Sequence, residues 1–258
     1  MINTITNRQM AFILFLTLTS VTILTIPKVM AETAGVGSWI TIMIISVIFG
    51  LLAVLFTRLN QAFPGRALYD YSQDLVGKAG CLIISVFYAQ YFLIAGVFLC
   101  TTMTGMLHAN FLFKTPEWAF LLAGLPVFGY SAYKGPTNVA RIFELYGAGF
   151  LIGLLVVHAN MLIQGDVVNI LPLVIPSEIG EVFGAMKEAV ISFLGIEILT
   201  VLPLTKNNKK ASKVAFLTLL GIGLMYVLVV ESSIMMVGIH EIKYSEYPLI
   251  TAFRQVQL

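Results

Sequence analysis

Apolar residues run along this chain in blocks of about 20, and nearly all the charge sits in the short polar breaks between them. Blocks of that length cross the ~30 Å hydrocarbon core of a bilayer as helices. They predict spans at about 10–30, 38–56, 79–107, 117–133, 143–164, 189–204 and 213–238, with a partial eighth from about 247. Twelve residues rise only about 18 Å as helix, so the chain is expected to stop mid-span. The stretch between Arg58 and Lys78 reads as a mixed, partly amphipathic loop turning at Pro64-Gly65, and 166–188 as an irregular segment with a short interfacial helix. Val29-Met30-Ala31 resembles a signal-peptide cleavage site, but a whole series of spans follows it and Pro27-Lys28 sits awkwardly before the cut. The expected fold is all-α: one polytopic integral membrane domain over 1–258.

Composition agrees. The 258 residues are 59% hydrophobic and 11% charged, where soluble domains carry roughly 25% charged residues. A net charge of +2 gives no reason to expect a nucleic-acid partner. Cys81 and Cys100 fall in one apolar run, and His108, His158 and His240 are isolated, so neither a metal site nor a cofactor is indicated. No phosphate-binding loop or Ser-His-Asp set suggests catalysis. With the N-terminus inside, Lys and Arg divide ten to five in favour of the cytoplasmic side, helped by Lys206, Lys209, Lys210 and Lys213.

Candidate chemistry centres on 190–203, where Gly195 and Glu197 interrupt an otherwise apolar span. A carboxylate at mid-membrane depth costs roughly 2.5–3.5 kcal/mol, so it faces the bundle interior or water. Glu197 reads either as a ligand or proton carrier, or as a structural carboxylate bonded to helix ends at a break. Thr19, Ser20 and Thr22 lie before Pro27, which cannot donate to the carbonyl of Ile23 and so weakens the helix just past them. They read as ligand groups or as helix–helix packing. Tyr88 and Tyr91 are spaced to share a helix face, so one of them roofs a pocket or both belong to the core or the lipid face. Arg141 and Glu144 are spaced to pair at the inner end of the fifth span, as a structural or gating ion pair. Glu231, within the seventh span, is open between packing partner and functional acid.

Several segments together resemble the B-subunit family of spore germinant receptors, within the amino acid–polyamine–organocation transporter superfamily. They are Ile23-Leu24-Thr25-Ile26-Pro27-Lys28, Phe63-Pro64-Gly65 with Tyr71-Ser72-Gln73-Asp74-Leu75-Val76-Gly77-Lys78, Val139-Ala140-Arg141-Ile142-Phe143-Glu144, and Ser192-Phe193-Leu194-Gly195-Ile196-Glu197. The resemblance implies two inverted five-helix repeats, with broken first and sixth helices around a central site. That site would include Thr19, Ser20, Thr22, Tyr91, Phe193, Gly195 and Glu197. It further implies a subunit of the spore inner membrane that senses a small nutrient, such as an amino acid, beside A and C subunits and in contact with membrane lipid. A proton-coupled amino-acid transporter and a non-binding scaffold are the alternatives. Two departures stand out: Ser20-Val21-Thr22 replaces a Gly-x-Gly, which should stiffen the first helix, and the family runs to ten spans. The chain is therefore expected to be a truncated record or a shortened paralogue.

Overall fold

A computed structural model describes residues 4–64, 66, 68–204 and 210–256. Gly65 of the expected turn and Lys206 and Lys209 of the expected basic cluster lie outside the described residues. The described residues are mostly helical and form no strand, only one isolated bridge between Ile5 and Leu204. The helices are α1 (Asn7–Thr19), α2 (Thr22–Thr33), α3 (Ser38–Ala62), α4 (Leu68–Asn110), α5 (Glu117–Lys134) and α6 (Pro136–Gln164), followed by the short α7 (Ile179–Gly184), α8 (Met186–Ile191) and α9 (Ile198–Val201). Then come α10 (Ala211–Val237), α11 (Ile239–Tyr244) and α12 (Pro248–Gln255).

Among the described residues, Gly35–Ala62, Leu68–Asn110, Pro136–Gln164 and Ala211–Val237 are each long and apolar enough to cross a membrane. The pair α1 and α2, bent by 55°, makes a fifth such segment if taken as one. The stretches expected as the fourth and sixth spans hold α5 and the interrupted α8–α9 pair. Helix α4 shows why water is the wrong solvent. Leu82, Ile83, Val86, Phe87, Leu93, Ile94, Val97 and Phe98 are all exposed along it, a surface that only lipid or further protein would cover. The protein is an all-α polytopic membrane bundle.

The core is organised around α10, whose most extensive contact is with α3. Small residues bring these two backbones together: a Cβ added to Gly223 would lie 2.4 Å from Ser46 Cβ, and one on Gly50 would lie 2.9 Å from the Phe216 ring. This is the close approach that small side chains permit where helices meet without a hydrophobic driving force. Helix α1 crosses α6 in the same way, with Phe12 2.6 Å from where a Gly147 Cβ would stand.

Two expectations about local structure change. Most of the stretch between Arg58 and Lys78 is helix rather than loop. Residues 68–76 bury Tyr71 and Ser72 while Asp70 and Asp74 stay exposed, which is an amphipathic helix pattern. At Gly77 φ is +72° and ψ 176°, so the chain kinks there before the long apolar part of α4, a conformation that glycine adopts without steric cost. The first span, in turn, breaks at Ser20-Val21 and not beyond it; Pro27 lies inside α2, which continues around it. The absence of a Gly-x-Gly does not keep this helix straight. The Leu18 carbonyl, released at the break, accepts a hydrogen bond from the Tyr226 hydroxyl of α10 at 2.7 Å, so a tertiary partner stabilises the bend.

Candidate functional site

The second discontinuity is 192–197, a run of turns between α8 and α9. Gly195 has φ +115°, a region that side chains rarely enter. A Cβ there would also meet Thr17 Cγ2 at 3.1 Å, so the two discontinuous segments touch at this glycine. Gly195→Ala is expected to cost about 1–3 kcal/mol in backbone strain alone. The check is the thermal-unfolding midpoint of the detergent-solubilised protein. Gly149→Ala, in the regular helix α6 with open space around it, should leave that midpoint unchanged or raise it.

A break inside a bundle frees backbone groups that have no water to turn to. Here side chains from three helices take them up. The Tyr226 hydroxyl lies 3.0 Å from the Ser192 carbonyl as well as 2.7 Å from that of Leu18. Asn60 of α3 donates to the Leu199 and Leu202 carbonyls at 3.0 and 2.6 Å. Tyr71 of α4 donates to the Thr200 carbonyl at 3.0 Å. The Gly195 N–H donates to Glu197 Oε2 at 2.9 Å. Glu197 therefore serves its own break with one oxygen.

Its other oxygen, Oε1, is buried and has no hydrogen-bond partner among the described residues. An unpaired carboxylate oxygen away from water is costly, and its surroundings show where a partner would come from. Glu197 and Leu194 line a cleft of about 320 Å3 with Phe87, Tyr88 and Tyr91 of α4. The Tyr91 hydroxyl is the neighbouring donor within reach of the Glu197 carboxylate, so a ligand would share this acceptor with it. The Tyr88 hydroxyl accepts from Thr200 Oγ1 at 3.3 Å, and the Tyr88 and Tyr91 rings both pack on Phe92. The arrangement sets an acidic hydrogen-bond acceptor beside aromatic rings in an open cleft. Such a cleft can accept a small molecule that presents an N–H donor or a cationic group.

Three of the residues expected at a site, Tyr91, Gly195 and Glu197, do come together here. The others stand elsewhere. Thr19 is buried, and its hydroxyl donates to the Phe15 carbonyl at 2.6 Å. Ser20 is exposed and donates to the Thr17 carbonyl at 3.3 Å. Thr22 is half-buried against the Tyr226 hydroxyl. Phe193 is fully buried between the rings of Phe49 and Tyr226, each 5.4 Å away. The expected Arg141–Glu144 pair is replaced by another: Glu144 pairs with Arg8 at 2.7 Å, and Arg141 enters no ion pair among the described residues. The reason is the crossing of α1 and α6. Phe12 sits on Gly147, and Arg8, one turn earlier on α1, is thereby delivered to Glu144, one turn earlier on α6. Arg8 is mostly exposed, so the pair is worth no more than about 1 kcal/mol.

Glu231 is partnered on one side only: Ser38 donates to its Oε1 at 3.2 Å, and Oε2 is buried without a partner among the described residues. Neither Tyr226 nor Asn60 is among the residues expected from the sequence, and Tyr71 enters there only within a family-resembling segment, although a tyrosine amid the apolar run of α10 is a usable signal. Its hydroxyl needs a partner wherever it is buried.

Comparison with known proteins bears on what this arrangement serves. Residues 4–258 match the family described as "Spore germination protein". The chain is similar to three proteins of Bacillus subtilis (strain 168). It is 28% identical to spore germination protein YndE over 91% of this chain and 64% of that protein. With spore germination protein A2 the identity is 27%, over 92% of this chain and 65% of the relative. With spore germination protein B2 it is 24%, over 98% and 69%. The chain thus spans just under two-thirds of the length of the first two. A bundle with two partnered helix breaks and a family match over nearly the whole chain lead to one conclusion: this chain belongs to the spore germination protein family of the amino acid–polyamine–organocation superfamily.

Proposed function

We propose that this chain is the membrane B subunit of a nutrient germinant receptor, binding a small molecule such as an amino acid at the second discontinuous segment, in the cleft it forms with α4, and triggering germination. The observation that carries the reading is the unpaired, buried Glu197 Oε1 in a cleft with Tyr88 and Tyr91, beside a helix break. The amino group of a nutrient would complete the hydrogen bonding of that oxygen. Thr17, against Gly195, makes the first helix sensitive to how the break is occupied. The subunit would sit in the spore inner membrane beside A and C subunits, with its N-terminus on the cytoplasmic side and seven crossings. A sensor must bind one conformation better than the other, since equal affinity shifts nothing.

One observation favours a second reading. Glu231 also has a buried, unpaired oxygen within a spanning helix, which suits a proton carrier in a proton-coupled amino-acid transporter. The two separate in proteoliposomes containing the protein expressed from its native locus. For the sensor, labelled amino acid should bind saturably without accumulating under an imposed pH gradient. Gradient-driven accumulation would establish the transporter instead, and no binding at all would leave a scaffold.

A further inference from the structure

Where α5 hands over to α6, Lys134, Arg141, Tyr130, Ser131 and Asn138 surround a cavity of about 360 Å3. Its two cations have no carboxylate to neutralise them: among the described residues neither Lys134 nor Arg141 enters an ion pair. The one acid close by along α6, Glu144, is already paired with Arg8. The Lys134 ammonium lies 5.3 Å from the centre of the Tyr130 ring and 6.0 Å from that of Tyr133, so two aromatic faces hold it at the helix end. The positive end of the 29-residue helix α6 opens at the same place, where backbone dipoles favour an anion.

The Arg8–Glu144 contact puts this cavity on the membrane face that carries the start of α1. The Ile5–Leu204 bridge brings the end of the interrupted α8–α9 stretch to that face as well. Below the cations the helix surfaces turn apolar and exposed, with Ile142, Leu145 and Tyr146 on α6 and Tyr133 on α5. A soluble anion would use only the upper, charged part. A phospholipid uses both parts, with its phosphate among the cations and its acyl chains on the apolar flank. We propose that this cavity is a binding site for the headgroup of an anionic membrane phospholipid. Basic pockets between helices at a membrane face are suited to such headgroups.

The test uses the full chain reconstituted in nanodiscs of phosphatidylcholine doped with phosphatidylglycerol, with retained lipid counted by native mass spectrometry. The unaltered protein should retain phosphatidylglycerol in preference to phosphatidylcholine. In the K134Q/R141Q double variant that retention should fall roughly 30-fold, from about fivefold per cation near a charged membrane surface. K187Q, at an exposed lysine of α8, should change nothing. If the double variant fails to fold, K134Q and R141Q alone decide, each with a loss of about fivefold. Equal retention of the two lipids by the unaltered protein, or undiminished retention by the variants, overturns the proposal. So does displacement of the lipid by millimolar inorganic phosphate, which would assign the cavity to a soluble anion.

Discussion

Glu197→Gln should shift the nutrient dose–response of spores carrying this subunit by roughly tenfold to a hundredfold, the equivalent of losing one hydrogen bond to a charged group. The substitution is nearly isosteric, so no cavity opens. The carboxamide oxygen can still accept from the Gly195 N–H, the bond that Oε2 makes at 2.9 Å. What disappears is the negative charge on the oxygen that faces the cleft. The loss should therefore be selective, with subunit levels and the unfolding midpoint unchanged and responses through other receptors intact. Glu197→Ala should behave differently. It removes the Gly195 bond as well and should lower the unfolding midpoint along with the response. An unaltered dose curve for Glu197→Gln, with normal subunit levels, would remove this residue as a ligand group and leave it a purely structural carboxylate.

The second large effect concerns a residue that touches no expected ligand. Tyr226→Phe removes one hydroxyl that serves two carbonyls, Leu18 at the first break and Ser192 at the second. Tyr226 is fully buried, with the Thr22 side chain against its hydroxyl. Leaving buried acceptors unsatisfied should cost about 1–3 kcal/mol, read as a lowered unfolding midpoint in detergent. Tyr71→Phe removes a single bond, to the Thr200 carbonyl, and should cost less, about 0.5–1.5 kcal/mol. The informative comparison is with ligand binding. Because Tyr226 ties the two broken segments to one point on α10, its loss should weaken binding even though it lies outside the cleft. A stable, fully responsive Tyr226→Phe protein would show that the breaks are held by packing alone.

Much of this molecule was legible before any coordinates. Helix positions follow from runs of apolar residues, because in lipid every backbone group must be satisfied within its own segment and only a helix does so locally. Gly195 and Glu197 were legible for the same reason, since a flexible residue and a charge inside such a run must each have a purpose. Tyr88 and Tyr91, spaced to share a helix face, both line the cleft that holds Glu197.

Other features depended on which helices meet. Spacing along one helix pointed to Arg141 as the partner of Glu144, yet an i, i+3 pair is worth only a few tenths of a kcal/mol. The crossing of α1 at Gly147 supplied Arg8 instead. Proline chemistry pointed beyond Thr22 for the weak point of the first helix, whereas the break falls at Ser20-Val21. A missing N–H leaves one carbonyl free, but a bend of 55° is stabilised only where the freed carbonyl finds a donor. That donor is Tyr226, 208 residues away from Leu18. Likewise Phe193, read as part of a binding motif, faces the core because α3 and α10 close on it from both sides. The sequence alone determined the long apolar helices and the interruption at Gly195 and Glu197, since those depend on local hydrogen bonding and hydrophobicity. The tertiary structure decided which polar groups serve the interruptions and which remain open to a ligand, because partners for buried carbonyls and carboxylates come from helices distant in the chain.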